Sequence, residues 1–174
     1  MVGNDLCPQY GGRMDRDVAV ELVSAWHDDG GHRVPGTAYN ELQRTLEELV
    51  PAPEAGASAD DREDEGAGPR LLVLAGGSLF ELTVAQHAER SSKVEVWCQA
   101  LDPLTTSVTM SQHYEGNRQL LDRVRNWRFE RDGKLVLELR TTLRFGEAFN
   151  RGTVGLEAFA VAVARRVGWA VPTE

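Results

Sequence analysis

Cysteine is scarce in this chain, and Cys7 and Cys98 stand too far apart to suggest a disulfide framework or a zinc spacing. Cys98 falls in an apolar strand, where a thiol reads as a small buried hydrophobe. Lysine is equally scarce: arginine carries the basic charge, and Lys93 and Lys134 are the only lysines. No apolar run approaches the ~20 residues that a bilayer span requires. The opening MVGNDLCPQYGGRMDRD has no basic segment followed by an apolar one, so a secretory signal is not expected. Cytoplasmic residence without a membrane partner is the default expectation. The sequence also lacks a G-x-S-x-G elbow, a Walker loop and a dinucleotide glycine fingerprint. Nothing in it names a reaction, a catalytic residue or a cofactor.

What is present suffices for a packed core: 174 residues, 41% of them hydrophobic, favour one domain with an appendage. The net charge of −8 is unevenly spread. Residues 1–70 hold 6 basic and 15 acidic side chains, and residues 71–174 hold 13 and 12. The acidic half repels phosphate backbones and the other half has no basic excess, so nucleic acid is not the expected partner.

Taken in order, residues 15–28 predict an amphipathic helix with Val18, Leu22, Val23 and Trp26 inward, acidic residues at its start and Gly30-Gly31 at its end. After the turn at Pro35-Gly36, residues 38–50 predict a second helix with Tyr39, Leu42, Leu46 and Leu49 on one side. The pair invites a helix-turn-helix reading, but Glu41, Glu47 and Glu48 against Arg44 give the second helix the wrong charge for a DNA groove. Residues 51–69, rich in Pro, Ala, Gly and acids, read as a flexible linker between an N-terminal segment, 1–50, and a main domain, 70–174. The acidic run 60–65 lacks the spacing of an EF-hand loop.

Strands follow. RLLVLAGGSLFELTVA predicts a hairpin about Gly76-Gly77. KVEVWCQAL alternates, sending Val94, Val96 and Cys98 one way and Trp97 the other, and Asp102-Pro103 ends it. TSVTMSQHY alternates with Val108 and Met110 inward. NRQLLDRVRNW, residues 117–127, sets Leu120, Leu121, Val124 and Trp127 at helical spacing, and a strand is the rival reading of it. RFERDGKLVLELRTTL is a hairpin about Asp132-Gly133 with Leu135, Leu137 and Leu139 inward. A closing helix carries Leu156, Phe159, Val163 and Val167 as its apolar stripe. The expected class is α+β: an antiparallel meander sheet with helices packed on one face, in the order helices, meander, helix, hairpin, helix.

Candidate chemistry is sparse. His27 and His32 in HDDGGH flank a helix stop without a metal-ligand spacing, and His113 sits at a strand end. The less ordinary feature is Trp97, on the face opposite the core residues of its strand. It suggests a partner surface with Thr83, Thr109 and Val136 as neighbours. The alternative is that another element covers it.

RQLLDRVRNW, RFERDGKLVLEL and GTVGLEAFAVAVARRV, read as helix, D-G hairpin and closing helix, resemble the YbjN-like and type III secretion chaperone superfamily. The architecture compares over about 38–169 and the pattern over 117–169. The acidic stretch 51–69 and the extra helix 15–28 depart from that family. The resemblance implies a non-enzymatic protein that binds a peptide or protein partner, as a homodimer in many members, with no catalytic residues to carry over. Two rivals remain: a pleckstrin-homology-like binding module, if 117–127 is a strand, and a small enzyme whose site is assembled from scattered residues.

Overall fold

In the computed structural model the described residues are 12–31, 34, 37–60, 68–88, 91–115, 119–144 and 151–169. They form an α+β chain whose strands make two antiparallel sheets, ordered β1-β2-β3-β4 and β5-β6-β7. The chain divides into two compact units, Met1–Leu101 and Asp102–Glu174. That division falls after the first sheet, not at the 51–69 stretch.

In the first unit, α1 (Arg16–Asp28) starts where the Asp15 carboxylate accepts the Asp17 backbone N–H at 2.8 Å, which satisfies one of the first-turn donors. It buries Ala19, Val23 and Trp26. α2 (Thr37–Leu49) buries Ala38, Leu42 and Leu46, whereas Leu49, at its last turn, is 61% exposed. The Ser24 and Tyr39 hydroxyls meet at 3.0 Å and join the two helices. α1 lies over β1 (Ala55–Ala59) and β2 (Arg70–Ala75), and α2 over β3 (Ser78–Ala88) and β4 (Ser91–Ala100).

Register fixes what the helices cover. Val73, Phe80 and Cys98 form one row across β2, β3 and β4, and Leu71, Leu82 and Val96 the next. These side chains belong to the apolar core under the helices, with Val94, Val96 and Cys98 only half-buried at the β4 end. The opposite face is apolar along β2, where Leu72 and Leu74 are buried as deeply as their neighbours. A run such as LLVL that does not alternate suits a strand buried on both sides. Gly76 and Gly77 carry the β2–β3 hairpin with φ of 57° and 76°, the conformation of a type I′ turn.

β1 corrects the expectation of a linker throughout 51–69. Residues 55–59 pair in register with β2, and Ala57, Ser58 and Ala59 are buried. Small side chains suit the place: a Cβ on Gly56 would lie 2.5 Å from Leu22 Cδ2. Residues 61–67 lie outside the described set.

The second unit corrects the helix expected at 117–127. Residues Gln119–Arg131 form β6, the central strand between β5 (Thr105–Glu115) and β7 (Lys134–Arg144). The 117–118 positions and the side chains of Leu120 and Leu121 lie outside the described set. On a strand Val124 and Trp127 point to opposite faces, and both are buried. β6 and β7 join at Asp132 and Gly133, both with positive φ. α3 (Arg151–Arg166) packs on β7 and buries Leu156, Phe159 and Val163; Val167 lies just past its end and is half-buried. Two expected core residues stay outside: Met110 is 55% exposed and Leu135 48%. Leu135 adjoins the turn, where a register shift between Phe129 and Glu130 takes it out of the row of Leu137 and Leu139.

Candidate protein-contact surface

The four residues expected to share a partner surface fall into two pairs on separate sheets. Thr83 and Trp97 belong to the first sheet. They share its face away from the helices, because Thr83 opposes Glu95 and Trp97 opposes Glu81 in the β3–β4 register. Trp97 is 62% exposed, whereas Thr83 is buried. Thr109, on β5, shares a face of the second sheet with Asn126, Glu138 and Arg140, whereas Val136, on β7, falls at the register shift and pairs with no residue of β6. Thr109 is exposed and Val136 half-buried. Of the four, Trp97 alone is a large, exposed apolar side chain.

Its setting is built by register. Glu81 stands directly across on β3, and Glu95 and Gln99 flank it along β4. Glu81 is held by Arg70 at 3.4 Å, and Glu95 by Lys93 at 3.1 Å. Carboxylates and their cations thus ring an exposed indole. Among the described residues β4 has β3 as its one neighbour in the sheet, so its other side is an edge. Such an arrangement offers a contact: an aromatic anchor, a polar rim and strand backbone able to accept another strand.

Cys98, next along β4, corrects the expectation of a plain buried thiol. It is disulfide-bonded, with its partner sulfur outside the described residues. The spacing of two distant cysteines carried no signal of that bond, because sequence separation does not limit which sulfurs meet.

A second polar cluster lies between the β5–β7 sheet and α3. The Glu157 carboxylate accepts hydrogen bonds from Arg125, from the Thr141 hydroxyl and from Trp127 Nε1, the last at 3.2 Å. Arg125 and Thr141 are cross-strand partners, so one carboxylate from α3 fastens both strands. Every group in the cluster has a partner within it. Its effect is to fix α3 on the sheet, a role sequence reasoning missed because Glu157 looks like any helix-surface glutamate.

Among the described residues no group of three or more His, Cys, Asp or Glu is placed to hold a metal ion. His27 stands edge-on to Tyr39, with ring centres 6.0 Å apart, while His32 and the side chains of His87 and His113 lie outside the described set. No described helix is long and apolar enough to cross a membrane. Comparison with protein-family models, with curated proteins and with solved structures finds no match to this chain.

Proposed function

We propose that this chain is a non-enzymatic binding module that takes a protein or peptide segment on the β4 surface around Trp97. The observation that carries the reading is the 62% exposure of Trp97 on an edge strand. A large aromatic ring held by a rigid sheet is a common anchor of interfaces. The partner's backbone would extend the sheet while the indole seats against its side chains. No cofactor, metal or nucleic acid enters this reading. The test is capture with the intact chain followed by peptide mapping. Trp97→Ala should weaken the mapped contact by about 2 kcal/mol or more, with the circular dichroism spectrum unchanged. Unchanged affinity would remove Trp97 from the contact.

Within that class, the strand state of 119–131 favours the pleckstrin-homology-like reading over the chaperone-like one. Four strands, then three strands, then a closing helix is the order such a module would have. Of the three segments that resemble the YbjN-like and type III secretion chaperone superfamily, the hairpin and the closing helix keep their expected form, and the first is a strand. Cytoplasmic residence belongs to the same proposal. The disulfide at Cys98 weighs against it, since reducing compartments keep thiols free. Trapping free thiols in the protein as isolated from its cells decides the point.

A further inference from the structure

We propose that two copies of this chain pair edge to edge through β4, antiparallel, about a two-fold axis at Val94. The inference rests on the preceding reading only in taking β4 as a contact surface. Two observations point to a second copy as the occupant. The first is the unfinished core at this edge. Val94 and Val96 are half-buried, whereas Val84 and Leu82, their partners on β3, are buried. A strand laid against β4 would cover them.

The second is charge. In an antiparallel pair about a perpendicular two-fold axis, residues equally far from the axis oppose one another on the same face. An axis at Lys93 sets Lys93 against its own copy, and one at Glu95 sets Glu95 against its own. An axis at Val96 opposes Glu95 to Trp97, and one at Trp97 opposes the two indoles and leaves Glu95 facing Gln99. An axis at Val94 opposes Lys93 to Glu95 twice and places Lys93 diagonal to the Trp97 ring. Of these registers it alone matches opposite charges directly; the axis at Glu95 also brings Lys93 to the indole, but only by setting the two Glu95 carboxylates against each other. The existing Lys93–Glu95 pair, at 3.1 Å within one strand, would become one half of a four-charge ladder. The paired sheets would run continuously from β1 of one copy to β1 of the other.

Sedimentation of the purified full chain over a concentration series tests this. The wild type should form a dimer. Glu95→Lys should weaken it about tenfold or more, since two attractive cross-strand pairs become repulsive. The double exchange Lys93→Glu with Glu95→Lys should restore it to near the wild-type level. The Lys93 side chain is 57% exposed and that of Glu95 41%, so both exchanges should leave the fold intact, which circular dichroism checks. A wild type that stays monomeric, a dimer indifferent to Glu95→Lys, or a dimer the double exchange fails to restore each overturns the proposal. A second copy and a foreign strand would compete for the same side of β4, so a captured peptide should dissociate the dimer, whereas a chain that stays monomeric overturns the pairing and leaves peptide capture to its own experiment.

Discussion

At the scale of single residues, the first unit depends on close contacts around one ring. Trp26 is buried, its Nε1–H donates to the Pro69 carbonyl at 2.7 Å, and two glycines approach its faces. A Cβ on Gly31 would lie 2.4 Å from Trp26 Cε3, and one on Gly68 3.0 Å from Cζ2. Gly31→Ala should therefore destabilise by roughly 1–3 kcal/mol through overpacking, read as a lowered denaturation midpoint. In the second unit the corresponding residue is Glu157. Glu157→Gln would remove the charge that Arg125 meets in a mostly buried setting, at 23% and 13% side-chain exposure. A loss of about 1–3 kcal/mol is expected, visible in urea denaturation. An unchanged midpoint would mean that the cluster does not hold α3.

At the scale of elements, α3 holds to its sheet through Phe159, Val163 and Leu156. Phe159→Ala should cost about 3–5 kcal/mol, as removal of a buried aromatic does; thermal unfolding measures it. The stripe that supports this prediction is legible in sequence because its residues recur at helical spacing with small alanines between. Both hairpins are legible too, since Gly76-Gly77 and Asp132-Gly133 favour the positive φ their turns adopt. β6 was hard to read for a physical reason. Its face toward α3 carries Arg125, Trp127 and Phe129 in succession, and a charged residue at a core-side position breaks the alternation that marks a strand. Arg125 is accommodated there by Glu157, which lies 32 residues away in sequence. Pairing with β5 and β7 along its length then decides for strand over helix. β1 was hidden differently, for AGASA has no large side chain to signal burial. The contact surface was legible only as far as the outward phase of Trp97. Thr109 and Val136, expected beside it, belong to the other sheet, and alternation alone does not say which strands pair.

At the scale of the whole molecule, charge follows the division into units. Residues 1–101 hold 8 basic and 18 acidic side chains, a net of −10, and residues 102–174 hold 11 and 9, a net of +2. Like charge crowded on one unit opposes its compact state, and salt screens it. Moderate salt should thus raise the melting midpoint by roughly 2 °C, an effect of below ~1 kcal/mol at this chain length. A fall, seen by calorimetry at two ionic strengths, would mean that attractive pairs outweigh the repulsion. The four tryptophans divide in another way: Trp26 and Trp127 are buried, Trp169 is half-buried and stands edge-on to Trp127 with ring centres 5.6 Å apart, and Trp97 faces solvent. The chain therefore carries its own optical reporter. Trp97 supplies the red side of the fluorescence envelope and the fraction that iodide quenches, so Trp97→Phe should shift emission to the blue and reduce quenching, and any molecule seated on β4 should do the same without a label.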